Sequence, residues 1–452
     1  MKRTLIYNAR IVNDGQTFRG SVVTEGDLIA EVLKEDERPA LPCDSEIDAG
    51  GCYLLPGVID DHVHFRDPGL THKAEMATET AAAAAGGVTS FMDMPNCKPQ
   101  TTTIEALNDK FEYAASKCLV NYSFYFGATN DNADLLPWVD KKHVCGIKLF
   151  MGASTGNMLV DRMDTLRKIF SEAGMLIATH CEDQAIISEN TAKYKAQYGE
   201  DLDISFHPLI RNEEACLRSS SLAIQLAKET GARLHILHIS TAKELELLED
   251  KPLEEKRITA EACVSHLMFC DEDYARFGAR IKCNPAIKTR ADRDALRAAL
   301  STNKIDVIGT DHAPHLIEEK QGGALKAVSG MPSIQFSLVS IMELVRQGVL
   351  SIEQLAEKMC HAPARLYQID RRGYIRKGYK ADLVILNPEK EWTVTPECIL
   401  SKCGWSPMEG QTFHSKVEKT FVNGQLVYAD DKVNTEVRGE ALTFCRYLYK
   451  KI

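Results

Sequence analysis

Several things are missing from this 452-residue sequence, and each absence excludes something. No apolar run approaches the roughly 20 residues that a bilayer-spanning helix needs, so no membrane association is expected. The opening segment "MKRTLIYNARIVNDG" is basic but lacks the apolar core of a secretion signal. Fourteen cysteines are scattered without a Cys-x-x-Cys pair, a pattern of packed, reduced thiols that points to the cytoplasm. There is no low-complexity tract and no surplus of positive charge: 54 Lys and Arg stand against 64 Asp and Glu, a formal net charge of −10. Phosphate binding needs a basic face, so nucleic acid is excluded as a main partner. A small-molecule partner is the remaining expectation.

What is present divides into two patterns. Residues 1–55 and 366–452 read as short β segments, among them "TLIYNARIV", "CYLLPG" and "DLVILNP". Asn423-Gly424 is a hairpin signal, because both residues tolerate the positive φ of a tight turn. Each end is too short to bury a core alone, so the two ends are expected to share one small β-sandwich domain. Residues 56–365 alternate strand and helix. Strand-like runs are "GVIDDHVHF", "GVTSFMDMP", "NYSFYFGAT", "VCGIKLFM", "MLIATH", "LHILHIS", "RITAEACVSH" and "DVIGTDHAP". Eight such units over about 300 residues is the arithmetic of a (β/α)8 TIM-type barrel, in which all strand C-termini meet at one mouth. A doubly wound sheet alternates in the same way, so the count alone does not decide.

The strand ends carry the chemistry. His62 and His64 are two apart, and side chains at i and i+2 of a strand point to one side. His180 ends the fifth run, His238 the sixth and Asp311 the eighth. A strand histidine is more often a hydrogen-bonded core residue than a ligand. Four strands delivering imidazole or carboxylate to one mouth instead indicate a metal centre suited to Zn²⁺. Lys148, at the end of the fourth run, would repel a cation when protonated. A neutralised lysine can add CO₂ and present the two oxygens of a carbamate, whereas a lysine snorkelling outward is the commoner case. Spacing leaves that choice open.

The segments "DDHVHFRDPG", "MPNCKP", "GIKLFMGASTGNM", "THCED", "NPAIKTR" and "GTDHAPH" resemble the amidohydrolase superfamily and, within it, the dihydroorotases. The resemblance implies the barrel, two Zn²⁺ ions per chain and reversible hydrolysis of L-dihydroorotate to N-carbamoyl-L-aspartate in pyrimidine synthesis. It implies that His62, His64 and Asp311 hold one ion, that His180 and His238 hold the other, and that a carboxylated Lys148 bridges them. Asp311 would also be the catalytic residue, taking a proton from the attacking water and then giving it to the departing ring nitrogen. Arg66, Asn96 and His315 would hold the substrate carboxylate, with Asn284 and Gly330 as further substrate contacts. Relatives carry Phe-Gly where this chain has Ser329-Gly330. A homodimer is expected on the same ground. His312 is given nothing beyond bracing its turn, His235 a place in the core, and His266 no duty.

The alternatives are an allantoinase or a hydantoinase/dihydropyrimidinase, which share the ligand set, and a metal-free scaffold, which would have lost it. All six ligand positions are filled here, against the scaffold.

Overall fold

The computed structural model describes residues 1–152 and 158–446. Residues 153–157, part of the segment behind the carbamate expectation, lie outside them. All eight predicted runs form parallel strands of one sheet: Val58–Val63, Val88–Asp93, Asn121–Gly127, Gly146–Phe150, Ile177–His180, Leu234–Ile236, Ile258–Cys263 and Val307–Gly309. They pair in sequence order, the topology of a (β/α)8 barrel rather than of a doubly wound sheet.

The first and eighth strands are joined by a clasp just beyond the last regular ladder. Val63 bridges His312, and His64 N donates to His312 O at 2.7 Å. Asp60 Oδ2 accepts from Thr310 Oγ1 at 2.6 Å. The seam therefore runs through the segments that carry His62, His64 and Asp311, and closing the barrel brings them together.

Helices lie between the strands, as the alternation predicts. Ile104–Ala115 starts at Thr103, whose side chain accepts from Ala106 N. Glu213–Thr230 starts at Asn212 and ends at Gly231, whose φ of 71° is the left-handed cap that glycine adopts without strain. Arg290–Ala299 opens with a reciprocal Thr289–Asp292 capping box.

Both chain ends enter a second sheet of nine strands. Arg3–Asn13, Gln16–Glu25, Leu28–Lys34, Ser45–Asp48 and Tyr53–Pro56 come from the N-terminal end, and Leu383–Asn387 of the C-terminal end pairs with Tyr53–Pro56. The Asn423-Gly424 turn forms as predicted, with φ of 50° and 75°, between Lys416–Val422 and Gln425–Ala429. A buried cluster in which Arg372 donates to Asp382 and Asn423, and Asn423 to Asn121, ties this sheet to the barrel.

All fourteen cysteines are free and ten are buried, in keeping with packed thiols. Among the described residues no helix is long and apolar enough to cross a membrane.

Candidate active site

The strand ends converge on one pocket lined by His62, His64, Arg66, Lys148, Phe150, His180, His238, Asn284, Asp311, Ala313, Ser329 and Gly330. Six of these are the predicted ligands. Three residues of the mouth reach it through unusual backbone: Arg66, His238 and Asp311 have φ of 65°, 41° and 49°. The left-handed region costs a residue with a Cβ about 1 kcal/mol or more, and such strain concentrates where function fixes a direction. Here each of the three lies a few residues past the end of its strand, where the reversal turns the side chain back over the barrel.

The polar atoms are arranged in layers. His62 Nε2 lies 3.3 Å, and His64 Nε2 3.1 Å, from Asp311 Oδ1. On its far side His62 Nδ1 meets both oxygens of Glu261, at 3.1 and 3.2 Å, and His64 Nδ1 meets Asn96 Oδ1 at 2.7 Å. His180 Nδ1 lies 3.0 Å from His238 Nε2, while its Nε2 lies 3.0 Å from Glu182 Oε2. Glu182 is held in turn by Arg211. Asn96 behind His64 and Glu182 behind His180 accept the N–H on the outer nitrogen and leave the inner one as a lone pair, and an ionised Glu261 does the same for His62.

Electrostatics supports the same assignment. Burial holds His62 and His64 down to about 4, so both are neutral near pH 7. Burial also lowers His180 and, further, His238. For Asp311 burial alone would raise the carboxyl, yet its charged surroundings, Lys148 among them, hold it well below the ordinary carboxylate range. The consequence is a crowd of acceptors: imidazole lone pairs face a carboxylate oxygen at 3.1–3.3 Å with no hydrogen between them. A bound cation relieves that contact. The donor set of neutral imidazoles and carboxylate fits a divalent ion such as zinc, with His62, His64 and Asp311 as one group and His180 and His238 beside it.

Lys148 is buried between the two groups. Its Nζ lies 4.6 Å from the centre of the Phe150 ring, and no carboxylate is within ion-pair distance among the described residues. Burial lowers its amine to about 8, against the pull of Asp311 and Glu261. Lys110 shows the alternative: equally buried, it is paired with Asp93 at 2.5 Å, and its pKa is raised although burial opposes this.

The predicted substrate residues fall into two sets. Arg66, Asn284 and Gly330 line the pocket. Asn284 Oδ1 is buried without a hydrogen-bond partner. Asn96 and His315 stand one layer back, Asn96 against His64 and His315 against Arg66 Nη2 at 2.9 Å. Arg66 also donates to Pro314 O, and no carboxylate pairs with it among the described residues. Ser329 lies in the pocket wall, at the position where the resemblance leads to an expectation of phenylalanine.

Sequence reasoning missed the residues behind the ligands. Glu182 could have been found two positions after His180. Glu261 carries no local signal, because only closure of the barrel brings it to His62. His312 does brace its turn, bonding Glu79 at 2.8 Å and accepting from Ser333 N at 2.9 Å. His235 is a core residue, bonded to Thr259 and 3.2 Å from Asp61. His266 gains a duty: its Nε2 holds Pro285 O at 2.9 Å and so fixes the turn that carries Asn284.

Comparison with known proteins adds the family. Residues 53–427 match the Amidohydrolase family. The chain belongs to that family. Among its amidohydrolase relatives, a dihydroorotase of Methanosphaera stadtmanae is 30% identical over 406 residues, 89% of this chain and 92% of that protein. An allantoinase of Bacillus velezensis is 30% identical over 432 residues, 94% of each chain. The solved L-hydantoinase (dihydropyrimidinase) of Arthrobacter aurescens superposes with a TM-score of 0.91 at 28% identity, covering 96% of this chain and 98% of that one. The relatives thus divide among cyclic-amide hydrolases of different ring specificity.

Proposed function

We propose that this amidohydrolase is a zinc-dependent dihydroorotase, interconverting L-dihydroorotate and N-carbamoyl-L-aspartate. The observation that carries this reading is Arg66, a buried guanidinium in the pocket wall with no carboxylate partner among the described residues. Burial lowers it only to about 10, so it stays charged and awaits an anion. Dihydroorotate brings a carboxylate to that wall; the rings of allantoin and dihydrouracil do not. A planar guanidinium grips a carboxylate through two parallel hydrogen bonds. The unpartnered Asn284 Oδ1 can accept from a ring N–H.

Two zinc ions bound by His62, His64, Asp311, His180, His238 and a carboxylated Lys148 would supply an acidified water and polarise the scissile carbonyl. Lys148 suits that part because an amine must be neutral to add CO₂, and burial lowers this one to about 8, which makes a fraction of it neutral at physiological pH. Asp311, ionised and facing the centre of the pocket, is placed to take the proton from water and hand it to the departing ring nitrogen. Glu261 and Glu182 keep His62 and His180 turned inward throughout.

A hydantoinase reading has two observations in its favour: Ser329 replaces the expected aromatic wall, and the backbone superposes closely on an L-hydantoinase. Assaying zinc-supplied protein in parallel on L-dihydroorotate, allantoin and dihydrouracil, with Asp311→Ala as control, separates the readings. Turnover confined to dihydroorotate and lost in the variant is expected. Turnover of either other ring, with dihydroorotate inert, would overturn the proposal.

A further inference from the structure

His315 sits between two cations. Arg66 Nη2 lies 2.9 Å from its Nε2, and Lys73 Nζ lies 3.1 Å from its Nδ1. Lys73 is paired with Glu319 at 2.5 Å, and Glu319 is pinned by Leu316 N at 2.9 Å. Burial, with Arg66 and Lys73 adding to it, keeps the ring neutral. A guanidinium and an ammonium have hydrogens and no lone pair, while a neutral imidazole has one of each. The ring can therefore accept from only one of its two neighbours.

The surroundings decide which. Lys73 lies outside the pocket lining, and its two acceptors among the described residues are Glu319 and His315 Nδ1. A hydrogen on Nδ1 would leave this part-buried ammonium with Glu319 alone. Arg66 differs: it already donates to Pro314 O and faces the pocket, where an unmatched N–H can turn to a guest. The lone pair thus belongs at Nδ1 and the hydrogen at Nε2. Two donors, Arg66 Nη2–H and His315 Nε2–H, then converge with no acceptor between them.

We infer that Lys73, held by Glu319, fixes the Nε2–H tautomer of His315 and so converts the Arg66–His315 pair into a two-donor receptor for one carboxylate. Lys73 is a positioning residue acting through His315. The carboxylate half of this inference rests on the dihydroorotase reading; the tautomer does not.

The test is nitrogen NMR of zinc-loaded enzyme labelled with ¹⁵N-histidine, with a His315→Gln variant to assign the signal. A protonated Nε2 and bare Nδ1 are expected in the parent and in Lys73→Arg, and a mixture of tautomers in Lys73→Met. A hydrogen on Nδ1 in the parent overturns the inference whatever the substrate. In kinetics, Lys73→Met is expected to raise KM for dihydroorotate about tenfold, the loss of one charge-assisted hydrogen bond, with kcat within about twofold. A fall in kcat at unchanged KM would also overturn it. If the parent turns over only an uncharged ring, the substrate reading fails while the NMR result still decides the tautomer.

Discussion

Two patches of the same pocket are frustrated in opposite senses. Around Asp311, lone pairs of His62 and His64 face a carboxylate oxygen with no hydrogen between them. Around Arg66, with His315 in the inferred Nε2–H tautomer, hydrogens face hydrogens with no acceptor between them. A folded chain rarely leaves buried polar groups so mismatched, because each unmet group costs about 1–3 kcal/mol. The first patch is completed by a cation and the second by an anion. Both fit the guest of the proposed reaction, which has a carboxylate at one end and a carbonyl to present to a metal at the other.

Removing the charge from the acceptor side should have the largest effect. Asp311→Asn preserves shape but neither takes up a proton from water nor returns one, so kcat should fall by about 10²–10⁴. KM should change little, because Arg66 is untouched. A stopped assay on protein of verified zinc content measures both. Equal loss in KM would mean that the two patches are not separable.

The acceptor side also carries an acid-sensitive support. Burial would raise Glu182, but Arg211 and His180 outweigh it and hold the carboxyl down to about 2, against an ordinary 4.5. A depressed folded-state value stabilises above the unfolded pKa and is lost as pH falls toward the folded one. The full contribution is about 3 kcal/mol, of which roughly 1 is gone by pH 3.5. Urea unfolding of the parent and Glu182→Gln at pH 6 and pH 3.5 should show the gap between them narrowing at the lower pH. A gap independent of pH would mean that Glu182 is not ionised in the fold.

How far the sequence discloses this pocket depends on the kind of signal. Strand endings carry it: short apolar runs locate all eight strands, and His62, His64, His180, His238, Lys148 and Asp311 stand at their ends. The left-handed backbone at Arg66, His238 and Asp311 was illegible, since no glycine or asparagine announces it. Glu261 was illegible for another reason. It lies 199 positions from His62, and only barrel closure brings them together. Lys73 and Glu319 carry no pattern in the sequence, and only the fold sets Lys73 against His315 and Glu319. Ligands sit on regular elements and leave a periodic trace; the groups that orient them are long-range partners and leave none.

The donor side should respond to Arg66→Met in the complementary way. Losing a charge-assisted, forked contact costs about 1.5–3 kcal/mol, so KM for dihydroorotate should rise roughly 10–150-fold. Bound zinc, measured by elemental analysis, should be unchanged. If dihydrouracil becomes the better substrate in this variant, the anion patch alone sets ring choice.

The smallest expected effect tests whether the acceptor patch is held from behind. Glu261 does not line the pocket, yet it receives His62 Nδ1, Cys263 Sγ and His238 N. Burial raises the Glu261 carboxyl to about 8, and Glu261→Gln keeps an oxygen that can accept from His62 but adds two hydrogens that compete for the same place. His62 would then be free to flip its hydrogen toward Asp311, which relieves the frustration internally and weakens the case for a cation. Metal affinity should fall about 10–100-fold in competition with a chelator. At saturating zinc, kcat and KM should return close to the parent values. If saturating zinc does not restore kcat, Glu261 takes part in proton movement itself, and the division between the layer that holds the ligands and the layer that reacts has been drawn in the wrong place.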